Sequence, residues 1–193
     1  MNILAADQQV LLWLNSLLVE KSTALAALVK FAGIYLIYGL PVILLVLWFL
    51  YPGHRKELFL SLVAALFSWL IITKSIVPAI WFRPRPDLNL IGAKELLFQR
   101  PDYSFPSDHA TALFAFTFGL YAFGWRRAAS WFLAYALLIV IARVALGIHF
   151  PLDIVAGAVS ALIGIILVKL LSEQIIKYLY SPLIWLLQKV RLA

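Results

Sequence analysis

Two histidines, two carboxylates, four cations and a serine fall into three short clusters, each at a border between polar and apolar sequence. The middle cluster is Ser104–Thr111, Ser-Phe-Pro-Ser-Asp-His-Ala-Thr, which sets Ser107, Asp108 and His109 in consecutive positions before a long apolar run. Lys74, Arg83 and Arg85 precede it, and Arg143, His149 and Asp153 follow it. Cations beside an intramembrane border are costly and take partners. Lys74, Arg83, Arg85 and Arg143 outnumber Asp108 and Asp153, so an anion from outside would complete the balance. The planar fork of arginine suits phosphate oxygens two at a time. A helix starting after Ser107 adds free N–H groups and a positive dipole end, which favour the same ligand. Ser107 can donate one more hydrogen bond.

Histidines suit acid–base and nucleophilic work near neutral pH. His149 and Asp153 are four residues apart, with Pro151 at a position tolerated in a first helical turn. Asp153 is therefore expected to hold the His149 imidazole in one tautomer, the pattern of an oriented nucleophile or base. His109 is its expected opposite, the acid that protonates a leaving oxygen. Each cluster alone has a plainer reading. Lys74 and Arg143 can snorkel. Arg83-Pro84-Arg85-Pro86 can be a headgroup-binding loop. Ser107-Asp108 can be a helix cap, and His149 with Asp153 a structural hydrogen bond. A metal site from His109, His149, Asp108 and Asp153 is opposed by the surrounding cations. What favours shared chemistry is that all three clusters fall at one end of the predicted helices.

Those helices follow from composition. Of 193 residues, 64% are hydrophobic and 13% charged, well above the apolar content near one half of soluble domains. Lipid must be the solvent for most of the chain. There is no cysteine, which rules out disulfides and thiolate metal sites. The net charge of +7 sits at the ends of apolar runs, which points to topology and anionic headgroups and not to nucleic acid. The N-terminus, whose first charge is Asp7, lacks the pattern of a cleaved signal.

The reading is an all-α integral membrane protein, one domain over residues 1–193, with five spanning helices. The spans are Ala24–Leu50, Leu58–Trp81, Ala110–Trp125, Ala128–Gly147 and Leu152–Val168. Residues 8–19 are too short to span and are expected to form an interfacial amphipathic helix, a sixth span being the alternative. Gly33, Gly39 and Pro41 are expected to kink the first span, and Pro78 to bend or end the second. Residues 82–107 form a long proline-rich loop, with a short interfacial turn expected at 93–98. His54 is expected to be a solvated loop residue. Ala156, Ser160 and Gly164 form a small-residue face for close helix contact. The tail after Lys169, interrupted by Pro182, is expected to lie along the membrane surface.

Five spans put the 51–57 and 126–127 turns and the tail on one side, with eight basic residues on each side. Setting aside Lys74, Arg83, Arg85 and Arg143 as site residues leaves four on the site's side, so the positive-inside rule turns the site outward.

The motifs resemble the type 2 phosphatidic acid phosphatase superfamily, whose pattern is Lys-x6-Arg-Pro, Pro-Ser-Gly-His and Ser-Arg-x5-His-x3-Asp. The third is met by Arg143, His149 and Asp153, with Ala142 for serine; the second by Pro106, Ser107 and His109, with Asp108 for glycine. The first is met by Arg85-Pro86, but Pro78 stands where lysine is expected, and Lys74 lies one helical turn earlier. The Pro-Ser-Asp-His variant resembles bacterial undecaprenyl-pyrophosphate phosphatases of the bacitracin-resistance type. The resemblance implies a bacterial cytoplasmic-membrane enzyme that acts on a polyprenyl pyrophosphate with no metal or other cofactor. It implies that His149 becomes phosphorylated, Asp153 orients it and His109 protonates the leaving group. Lys74, Arg83 or Arg85, Ser107 and Arg143 would hold the phosphate. Phosphatidate or phosphatidylglycerophosphate hydrolysis and lipid phosphotransfer are alternatives within the family. A headgroup binder or flippase would keep the arginines without needing both histidines.

Overall fold

A computed structural model describes residues 3–96 and 103–190. Arg100, Asp102, Arg191 and the end of the expected 93–98 turn lie outside the described residues; residues 93–96 are irregular. Helix α1 (Ile3–Asn15) runs on through a wide π turn, Ser16–Glu20. Long helices follow: α2 (Thr23–Leu50) and α3 (Pro52–Ile80). After the single turn α4 (Leu88–Ile91) come α5 (Asp108–Phe123), α6 (Arg126–Ala145) and α7 (Pro151–Leu170). Two tail helices, α8 (Ser172–Ile175) and α9 (Ser181–Lys189), are joined by a π turn, Ile176–Tyr180.

The protein is all-α. Helices α2, α3, α6 and α7 are long and apolar enough to cross a membrane. The fifth expected span, α5, has 16 residues, about 24 Å against about 30 Å of hydrocarbon. It is short because it is central: α5 packs against α3, α6 and α7 and buries Leu113, Phe114, Phe116 and Leu120. Outward faces instead expose large apolar side chains such as Leu45, Leu138 and Ile166, as lipid requires.

Prolines within these helices are absorbed, not broken around. A proline removes one backbone donor and crowds the preceding turn, and a wider turn makes room. A π turn, Ser68–Ile76, precedes Pro78, and α3 continues to Ile80. The same device at Ile176–Tyr180 precedes Pro182, so the expected interruption of the tail is absent. In α2 the expected irregularity is a π turn over Phe31–Tyr35 and a 3-10 turn over Leu36–Gly39.

Helix α1 is docked, not merely interfacial. Leu11 and Val19 are fully buried, and α1 packs against α6 and α7. His54 is half-buried rather than solvated: its ring stacks on Trp125 at 4.3 Å, with Glu57 at 3.8 Å. The small-residue face of α7 is rotated from the expected one. Gly157, Ser160, Ala161 and Gly164 are buried, whereas Ala156 is only partly so. A Cβ on Gly157 would lie 2.8 Å from the Ala110 Cβ and 3.1 Å from the Ser107 carbonyl oxygen. Gly157→Leu should therefore push α7 off the start of α5 at a cost of about 1–3 kcal/mol. The melting temperature in detergent should fall more for Gly157→Leu than for Gly157→Ala; equal melting of both and the parent would refute this contact.

Candidate active site

The polar ends of α3, α5, α6 and α7 meet at one place. The turn from α6 to α7 is tight because Gly147 takes φ +68°, a conformation that suits glycine. That turn delivers His149, 3% exposed, to the site. Its Nδ1 lies 2.9 Å from the Ser104 carbonyl oxygen. A carbonyl only accepts, so Nδ1 carries the proton and Nε2 is left with a lone pair. The expectation that Asp153 makes this bond is corrected: its Oδ2 is 3.6 Å from the same Nδ1, beyond hydrogen-bond range. Asp153 is occupied elsewhere, with Oδ2 accepting from Phe150 N–H at 2.8 Å and Oδ1 from Arg83 at 2.9 Å. It supplies negative charge behind the ring. Burial lowers the His149 pKa from its ordinary value, and the Asp153 carboxylate works against that shift.

His109 begins α5, with Nε2 at 3.4 Å from an Arg143 terminal nitrogen. Arg143 has only donors, so Nε2 accepts in this contact. The same Arg143 nitrogen donates to the Gly33 carbonyl at 2.9 Å, in the π turn of α2. Its Nε is buried and has no hydrogen-bond partner among the described residues.

The two arginines of the loop divide. Arg85 donates to the Ile148 carbonyl at 2.8 Å, beside His149. Both terminal nitrogens of Arg83 are taken by carboxylates, Asp153 and Asp7, and its guanidinium lies 4.0 Å from the Phe150 ring centre. Arg83 therefore stands behind Asp153. Ser107 is fully buried and caps α5, its Oγ accepting from Ala110 N–H at 3.4 Å; the hydroxyl proton remains available as a donor. Its own N–H donates to the Asp153 carbonyl at 3.0 Å, tying the starts of α5 and α7 together.

Lys74 reaches the rim. Its Nζ is 2.6 Å from Asp108 Oδ2 and 3.1 Å from the Tyr103 hydroxyl. The neighbouring Thr73 and Thr111 hydroxyls, 2.9 Å apart and buried, hold α3 to α5 at that level. Residues that the motifs did not single out thus complete the site: Asp7, Gly33, Tyr103 and Ser104. No group of three or more His, Asp or Glu able to hold a metal ion occurs among the described residues.

A family model described as the PAP2 superfamily matches residues 56–177, which include all three clusters and exclude α1. The chain is 33% identical over 150 residues to YbjG of Escherichia coli (strain K12), named provisionally an undecaprenyl-diphosphatase; the match covers 77% of this chain and 74% of that protein. It is 29% identical over 149 residues to the bacitracin transport permease protein BcrC of Bacillus licheniformis, covering 77% of this chain and 72% of that one. The crystal structure of Aquifex aeolicus LpxE matches with a TM-score of 0.65 over 83% of this chain and 93% of that one. At 22% identity, that likeness shows the fold alone.

Proposed function

The chain belongs to the PAP2 superfamily of phosphatases, and on that premise we propose that it hydrolyses undecaprenyl pyrophosphate to undecaprenyl phosphate and inorganic phosphate. The site would face outward from a bacterial cytoplasmic membrane, where the product is a recycled carrier lipid. The observation that supports the chemistry is the 2.9 Å contact of His149 Nδ1 with the Ser104 carbonyl: the carbonyl accepts, so the proton sits on Nδ1 and Nε2 keeps the lone pair for attack.

In the first step Nε2 attacks the terminal phosphorus and the bond to the bridging oxygen breaks. His109, which takes up a proton from solvent on the Nε2 that Arg143 vacates, delivers it to that oxygen, and the lipid monophosphate leaves. Arg143 must turn from His109 toward the phosphate for this, which also satisfies its orphaned Nε. Arg85, the Ser107 hydroxyl and the start of α5 hold the remaining oxygens. Lys74, already paired with Asp108, would meet the second phosphate at the rim. In the second step water attacks the phosphohistidine, giving its proton to His109, and the N–P bond breaks to release inorganic phosphate. Asp153 supports the positive charge on the ring during both steps.

The substrate reading leans on the name of YbjG and is tested directly. Purified protein in detergent should release phosphate from a polyprenyl pyrophosphate faster than from phosphatidate, with EDTA present throughout. Preference for phosphatidate would leave the chemistry standing and overturn the substrate. Transfer of phosphate to an added lipid acceptor would recast the enzyme as a phosphotransferase, and no release from any lipid would favour a binder or flippase.

A further inference from the structure

Asp7 is a carboxylate in the first turns of an apolar helix, yet it is only 4% exposed. A buried charge of that kind is tolerated only when paired and hydrogen-bonded. Asp7 has both. Oδ1 accepts from Leu152 N–H at 2.8 Å, in the first turn of α7, and Oδ2 pairs with Arg83. At its last residue, α1 is tied down again. Asn15 donates to the Ala145 carbonyl at 2.8 Å and exchanges two hydrogen bonds with the Lys94 backbone. Ala145 ends α6 and Leu152 lies in the first turn of α7, so the two anchors of α1 straddle the turn that carries His149.

We propose that Asp7 is a positioning residue for the reaction, acting from the N-terminal helix through Arg83 and the start of α7 to hold Asp153 behind the attacking histidine. This rests on His149 being the nucleophile. The chain of contacts is continuous: Asp7 to Arg83, Arg83 to Asp153 at 2.9 Å, and Asp153 at 3.6 Å from His149 Nδ1. Two carboxylates share one guanidinium, so Asp153 keeps negative charge for the imidazole as it becomes positive on bonding to phosphorus. Without the Asp7 charge, Arg83 leans on Asp153 alone and that support weakens. Asp7 lies outside residues 56–177, so the contribution comes from a part of the chain that the family match does not include.

Asp7→Asn tests this, because the amide keeps the shape and an acceptor for Leu152 N–H while losing the charge. Phosphate release from polyprenyl pyrophosphate should show kcat about tenfold lower, with KM within about twofold. The acid limb of kcat/KM should move to lower pH, since His149 loses support for its charged form. The charged and titratable groups facing His149 are Asp153, Arg143, Arg85 and His109, and none is altered by the substitution. A residue with only a structural role would lower the yield or melting temperature and leave the acid limb in place. In an Asp153→Asn background, adding Asp7→Asn should leave the limb where it is. Parental kcat and acid limb in Asp7→Asn, or an equal shift in both backgrounds, would overturn the proposal. If Asp7→Asn does not fold, Asp7→Ser is read instead: it loses the charge and keeps an acceptor oxygen, so reduced kcat with the acid limb moved to lower pH supports the proposal, and parental kcat or an unmoved limb sinks it. Should the parent itself release no phosphate from any lipid, the hydrolase reading fails and this inference with it. Release by the parent with an unmoved limb in Asp7→Asn fails this inference alone.

Discussion

Replacing His149 with alanine should cut phosphate release by at least about ten-thousand-fold, since loss of a nucleophile removes the covalent route itself. The fold should tolerate the change better than the chemistry, because the buried Ser104 carbonyl loses one hydrogen-bond partner, a cost of about 1–3 kcal/mol. Parent protein quenched during turnover of a terminally labelled substrate should carry acid-labile phosphate, and His149→Ala should carry none. The pH dependence follows from the same ring. Attack requires neutral imidazole, which prevails above its pKa. Burial lowers the His149 pKa from the ordinary 6.5, against the opposing pull of Asp153. The acid limb of kcat/KM should therefore lie below that value, and Asp153→Asn should carry it lower still while reducing kcat. An acid limb above 6.5, or labelled phosphate retained on His149→Ala, would refute the assignment.

Apolar runs and their charged ends are local properties, so the helices were readable from the chain. Thr23–Leu50 and Pro151–Leu170 match the expected spans Ala24–Leu50 and Leu152–Val168 to within a few residues. What local reading missed is how a proline can be accommodated. Pro78 and Pro182 look like breaks, and only the geometry shows the wide turns that carry each helix past them.

The site divides in the same way. Histidines, arginines and carboxylates announce themselves by type, but a backbone carbonyl does not, because every residue has one. The hydrogen-bond partner of His149 is the carbonyl of Ser104, 45 residues upstream, and no spacing rule points to it. The i, i+4 relation of His149 to Asp153 was visible, and it gave the right neighbour with the wrong contact. Asp7 did leave a signal: a lone charge in an apolar helix calls for a partner. Its partner, Arg83, reads from the sequence as a phosphate ligand, because arginine type alone does not distinguish a ligand from a brace. Asp108 stands where the family pattern has glycine, while Lys74 stands a turn before the expected lysine, and these two departures are paired to each other at 2.6 Å.

Arg143→Lys should lower kcat/KM by about a hundredfold to a thousandfold, the loss expected when a preorganised donor to developing phosphate charge is removed. Lysine keeps the charge but not the fork. In the parent, one terminal nitrogen donates to the Gly33 carbonyl at 2.9 Å and lies 3.4 Å from His109 Nε2. A buried donor without a partner costs about 1–3 kcal/mol, so an anion that accepts from Nε would stabilise the folded protein. Binding can therefore be read without turnover. Orthovanadate or inorganic phosphate should raise the melting temperature of the parent in detergent in a concentration-dependent way, and should not raise that of Arg143→Lys. His149→Ala separates the two functions: it should lose hydrolysis while keeping stabilisation by inorganic phosphate, because Arg143, Arg85 and the start of α5 remain. If phosphate stabilises Arg143→Lys as well as it does the parent, Arg143 is a structural brace between α2 and α6, and the anion is held elsewhere.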